Sequence, residues 1–191
     1  MQIEIISGSP RRESATRSVA LHLHQLLLRE YGIDSGLIDM QRHSLPYVDQ
    51  VWSDLDGVPS SYVDIARRVF NAQGFILVTP EYNGSYSPAL KNFLDHFPKQ
   101  ERKVFGIASA SPGNLGGIRA AVQLQNLVSG LSGIGSPRML IVPEVGKKFS
   151  KSGELSESSF GTSVHAFVEE FLWLTHALHA ATEYRVNKLV A

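Results

Sequence analysis

Residues 74–88 read Gly74-Phe75-Ile76-Leu77-Val78-Thr79 and then Pro80-Glu81-Tyr82-Asn83-Gly84-Ser85-Tyr86-Ser87-Pro88. The first six carry no charge and no alternation, the pattern of a strand buried on both faces at the centre of a parallel sheet. The stretch behind them is rich in turn formers, and Pro88 suits a first helical position, so a helix opens from Ala89 to about Phe97. Upstream, Ile3 to Ser7 reads as the first strand. Ser14 to about Tyr31 reads as a helix with Val19, Leu23, Leu26 and Leu27 on one face and Gly32 at its end. Gly36 to Met40 is a weaker strand, Arg42 to Val58 an irregular excursion at one edge, and Tyr62 to Gln73 a second helix. Downstream follow a strand at Lys103 to Ser109, a helix at Leu115 to Val128 and a strand at Arg138 to Val142. Lys147 to Ser159, rich in Lys, Ser and Gly, reads as a mobile loop. The last helix carries a single apolar stripe of Val164, Phe167, Val168, Phe171, Leu172, Thr175 and Leu178. With no internal repeat and no linker, residues 1–191 read as one doubly wound α/β domain, whose ligands bind at the carboxyl ends of the strands.

Composition narrows the chemistry. The 191 residues are 43% hydrophobic and contain no cysteine, which excludes disulfides, thiolate zinc sites, iron–sulfur clusters and a cysteine nucleophile. Eighteen basic residues balance eighteen acidic ones, so nothing draws the chain toward nucleic acid or an anionic membrane. The same balance speaks against an electron carrier that docks by charge. The N-terminus lacks the basic start and apolar core of a secretion signal, and no apolar run approaches a membrane span, so a cytoplasmic protein is expected.

The carboxyl-edge rule selects three loops. Gly8-Ser9-Pro10-Arg11-Arg12-Glu13-Ser14-Ala15-Thr16 joins a strand to a helix N-terminus, where free N–H groups, hydroxyls and a guanidinium suit one phosphate. It is neither a P-loop nor the three-glycine dinucleotide fingerprint. Taken alone, it is equally well explained by Ser14 capping the helix with Arg11 in solvent. The second loop, from Thr79 to Pro88, brings turn amides and two tyrosines toward a flat ligand. The third, Ser109-Ala110-Ser111-Pro112-Gly113-Asn114-Leu115-Gly116-Gly117, is built of small residues that leave room for a planar group.

The first loop resembles the Gly-Ser-x-Arg-x-x-Ser-x-Asn/Thr pattern of the NADPH-dependent FMN reductases. Pro80-Glu81-Tyr82-Asn83-Gly84-Ser85, followed by Leu90-Lys91-Asn92 and Asp95, is similar to their signature, and Ser109 to Gly117 to their third flavin loop. The resemblance implies a flavodoxin-like three-layer sandwich with a five-stranded parallel sheet of order 2-1-3-4-5 and helices on both faces. It implies that Ser9, Arg11, Ser14 and Thr16 hold the FMN phosphate, that Pro80, Glu81, Tyr82, Asn83 and Gly84 line the ring, and that Ser109, Ser111, Gly113 and Gly116 border its other side. It further implies an NAD(P)H oxidoreductase passing a hydride from NADPH or NADH through FMN to a small-molecule acceptor such as a quinone, free flavin or azo compound. No catalytic side chain is then needed, and a homodimer or homotetramer is implied, built partly by Tyr86 to Phe97. Pro10 and Thr16 depart from the pattern, which more often has an apolar residue and Asn there.

Other clusters carry less. His176 and His179 neighbour each other on the last helix with no third ligand nearby in sequence, so no metal site is expected. His22 and His24 read as helix surface. Arg12, Arg17 and Arg119 flank the loops and read either as solvated charge or as partners for the extra phosphate of NADPH. Two rival classes stay open at this point, a one-electron flavodoxin-like carrier and a flavin-free binding module on the same fold.

Overall fold

Strand β1 (Ile3–Ser7) lies between β2 (Gly36–Asp39) and β3 (Gly74–Pro80), parallel to both, with Ile5 opposite Leu37 on one side and Ile76 on the other. Strand β4 (Val104–Ala110) continues the parallel ladder beside β3. The outer position is shared by two short strands, β5 (Ile134–Gly135) and β6 (Leu140–Val142), both parallel to β4. This computed structural model describes residues 1–190, with side chains described through residue 182. The order is thus 2-1-3-4-5 as expected, but the fifth place holds two pieces rather than one strand from Arg138. Pro137 lies in the break, where it has no N–H to give the ladder. Just before it, Ser136 still donates to the Phe105 carbonyl at 2.8 Å.

Helices α1 (Ala15–Tyr31) and α6 (Gly161–Val190) cover one face of the sheet; α2 (Val63–Asn71), α3 (Pro88–Asp95) and α4 (Ile118–Gly130) cover the other. Every residue of β1 and β4 is buried, which is why neither alternates. The stripe expected on the last helix is buried from Val164 to Thr175, and Leu178 packs half-buried against the same core.

The stretch expected to be a mobile loop, Lys147 to Ser159, is folded instead. Helix α5 (Val145–Lys148) turns into a hairpin in which Phe149 pairs antiparallel with Leu155 and the Ser150 N–H donates to the Glu154 carbonyl at 2.9 Å. The hairpin tip is pinned on α1. Gly153 sits at φ +87°, and a Cβ there would lie 2.9 Å from both the His22 backbone nitrogen and the Leu21 Cβ, so only glycine fits. His22 is accordingly half-buried rather than a surface residue. Burial pushes its pKa below the ordinary value, and the neutral ring donates Nδ1–H to the Gly153 carbonyl at 2.9 Å.

Candidate active site

The three loops leave the carboxyl ends of β1, β3 and β4 and lie side by side because those strands are neighbours. Direct contacts join them. The Arg11 guanidinium lies 4.4 Å from the centre of the Tyr82 ring, and the buried Ser9 hydroxyl is 3.4 Å from the Tyr82 hydroxyl. Ser87, fully buried, donates its hydroxyl proton to the Gly8 carbonyl and accepts from the Leu90 N–H at 3.1 Å, so one side chain caps α3 and ties it to the first loop. On the other side, Glu81 pairs with Arg119 of α4, Nε to Oε1 at 2.7 Å, and Gln123 Nε2 donates to the Gly84 carbonyl at 3.1 Å.

In the first loop, Ser14 caps α1, its hydroxyl accepting from the Arg17 N–H at 3.2 Å. Arg11 is exposed, and Thr16 is buried in the first turn of the helix. The backbone N–H groups of Arg12, Glu13, Ser14, Ala15 and Thr16 find no acceptor among the described residues. A phosphate fits this end of the helix, since bare donors, the positive end of the dipole and a nearby guanidinium all favour an anion. In the second loop Tyr82 and Ser85 bond to each other through both backbone groups, closing a two-residue turn with Asn83 at φ 51° and Gly84 at φ 83°. Pro80 ends β3, half-buried, just before this turn.

The third loop is held by its own hydroxyls. The Ser109 hydroxyl is fully buried and donates to the Gly116 carbonyl at 2.8 Å, while the Ser111 hydroxyl accepts from the Gly113 N–H at 2.9 Å. Both hydroxyls therefore brace the loop. Gly116 is required by packing: at φ 61°, a Cβ would come 2.7 Å from Ile141 and 2.8 Å from the Pro143 nitrogen. Gly113 is exposed, leaving it as the glycine of this loop open to a ligand. Glu81 likewise aims at Arg119.

Sequence reasoning missed Ser87, whose signal was present as a Ser just before Pro88, the N-cap position of a helix. Asn92, quoted in the signature but given no role there, accepts from the Val48 N–H at 3.0 Å and donates to the Pro46 carbonyl at 2.8 Å, holding the irregular excursion against α3. Of the three arginines left open, Arg17 is bound to Asp39 at 2.8 Å and Arg119 to Glu81; Arg12 makes no such pair among the described residues.

Comparison with solved structures fixes the fold. The chain superposes on the flavoenzyme NAD(P)H:(acceptor) oxidoreductase of Paracoccus denitrificans with a TM-score of 0.70, at 18% identity, covering 92% of this chain and 97% of that one. A flavodoxin variant from Pseudomonas aeruginosa gives a TM-score of 0.54 at 18% identity, covering 90% and 99%. The fold is the flavodoxin-like three-layer α/β sandwich. An FMN-dependent NADPH-azoreductase of Staphylococcus aureus is 29% identical over 175 residues, 88% of this chain and 92% of that protein. The profile of the NADPH-dependent FMN reductases matches residues 1–146, and the chain belongs to that family. It is an oxidoreductase that uses FMN and NAD(P)H and acts on a small-molecule acceptor. No helix among the described residues is long and apolar enough to cross a membrane.

Proposed function

We propose that residues 1–191 work as one FMN-binding domain in the cytoplasm, passing reducing equivalents from NADPH to a quinone, free flavin or azo compound. The observation that carries this reading is the contact chain from Arg11 through Tyr82 and Glu81 to Arg119, which ties the first two loops to the start of α4, the helix that the third loop enters. Ser9, Arg11, Ser14 and Thr16 would hold the FMN phosphate. Pro80, Tyr82, Asn83 and Gly84 would line the ring, with Gly113 bordering it. Glu81, Ser109, Ser111 and Gly116 support these positions through Arg119 and the third-loop backbone. FMN itself supplies the hydride chemistry, so the chain need only bind, orient and place amide dipoles. Likeness to the azoreductase supports an azo acceptor in particular. The test is steady-state oxidation of NADPH by the FMN-loaded protein with a quinone or an azo dye. Many turnovers per chain are expected; failure to turn over with either acceptor would point to a carrier instead.

We also propose a homodimer as the working unit. The expected interface segment, Tyr86 to Phe97, spends Leu90, Phe93, Leu94 and Phe97 on its own core. Leu115, Ile118 and Val122, by contrast, stay exposed beside the Gly84 turn, spaced by three and four residues. Replacing Ile118 and Val122 by Asp should shift the sedimentation coefficient to that of a monomer; an unchanged assembly would place the interface elsewhere.

A further inference from the structure

A groove of about 580 Å³ opens beside the first loop, between the start of α1 and the α5 hairpin, on the α1 face of the sheet. It adjoins the α1 N-terminus given to the FMN phosphate and shares Ser14 with it, while Val145, Phe149, Ser150, Lys151 and the Arg12 side chain stand outside the flavin reading. Its size falls within the range of small-ligand sites. Its two walls are fixed to one another. The hairpin wall is pinned to α1 by the His22 bond to Gly153 and by Gln25, whose Nε2 donates to the Ser152 carbonyl at 3.3 Å. The floor is apolar, from Val145 and the buried Phe149. The rim is cationic, from Arg12 on one wall and Lys151 on the other.

These two cations are unspent. Arg12 makes no hydrogen bond or ion pair among the described residues. Lys151 only approaches Glu13, at 3.9 Å, with the two side chains 93% and 88% exposed, an arrangement of little energetic weight. Arg17, the third cation of the groove, is held by Asp39. Two cations on opposite walls above an apolar floor, with the Ser18 and Ser150 hydroxyls between, match a phosphorylated nucleoside: the base over the floor, the phosphate between Arg12 and Lys151.

We propose that this groove seats the adenosine 2′-phosphate arm of NADPH, and that Arg12 and Lys151 are the residues by which the enzyme tells NADPH from NADH. The proposal rests on the chain being an NADPH-using flavoenzyme. It extends that reading to a second anion position, between Arg12 and Lys151, next to the one given to FMN.

The test uses 2′,5′-ADP and 5′-AMP as probes, titrated calorimetrically into the FMN-loaded protein and into an R12A/K151A variant. The variant is expected to weaken 2′,5′-ADP at least tenfold while changing 5′-AMP less than twofold, and to raise the KM for NADPH but not for NADH. FMN content should stay that of the parent. Unchanged 2′,5′-ADP affinity, equal losses for both probes, or displacement of FMN by 2′,5′-ADP would each overturn the assignment. Because probe binding is read without turnover, a protein that binds 2′,5′-ADP but carries no flavin would refute the flavin reading alone. One that carries FMN and ignores 2′,5′-ADP would refute the groove alone.

Discussion

Replacing Arg11 and Ser14 together by Ala raises the FMN dissociation constant at least tenfold. A phosphate at the α1 N-terminus takes a charge-assisted bond from the Arg11 guanidinium and one from the Ser14 hydroxyl proton, each worth about 1.5–3 kcal/mol. Loss of about 3 kcal/mol in total corresponds to roughly a hundredfold, and tenfold is its conservative floor. Ser14 has a second role that must be separated from this one, since its oxygen already accepts from the Arg17 N–H. Loss of an N-cap alone lowers stability by about 1 kcal/mol without touching a ligand. Ser14→Asp divides the two. Asp caps as well as Ser and its charge suits the helix dipole, yet it repels a phosphate. Stability should hold in a denaturant titration while FMN affinity, read by fluorescence quenching, falls at least tenfold. If Ser14→Asp binds FMN as the parent does, the cap is all that Ser14 provides.

Gly116→Ala is expected to lower unfolding stability by about 2–5 kcal/mol, combining left-handed backbone for a residue with Cβ and overpacking. The added Cβ would meet Ile141, the Pro143 nitrogen and the Val142 carbonyl carbon, at 2.7, 2.8 and 2.9 Å. Two of those three atoms are backbone, so no side chain can swing away. The loop must lift from β6, and the variant should lose FMN along with stability. Gly113→Ala makes the contrast: its Cβ would meet only the Ser111 hydroxyl at 3.4 Å, with no positive φ. Its stability should match the parent within about 0.5 kcal/mol, as for an ordinary surface change. Equal denaturant midpoints for Gly116→Ala and the parent would refute the packing account of the third loop.

Much of the fold was legible because it is locally encoded. Uncharged runs named β3 and β4, and Ile3 to Ser7, apolar but for Glu4 and Ser7, named β1; Ser14 and Gly32 bracket α1 as its caps; Pro88 opens α3. What escaped depends on partners distant in sequence. The residues from Lys147 to Ser159 look like loop because they are polar, and they fold because Gly153 lands on His22, 131 residues away. The break before β6 turns on one missing N–H at Pro137. In the candidate site, the strand order implied by the pattern brings the three loops side by side, but spacing could not say which way a hydroxyl points. Ser109 and Ser111 are of the expected type and position, and both are consumed in holding their own loop. The partner of Glu81, Arg119, lies 38 residues on in α4, beyond the reach of local spacing.

The central claim is that the surface formed by these loops is an FMN site worked by NADPH. Titrating the purified, FMN-depleted protein with FMN, then adding NADPH under anaerobic conditions, tests it most directly. Saturation at one FMN per chain, followed by bleaching of the flavin absorbance by NADPH, is the predicted result. A protein that stays colourless through the titration, or whose bound FMN is untouched by NADPH, would contradict the account.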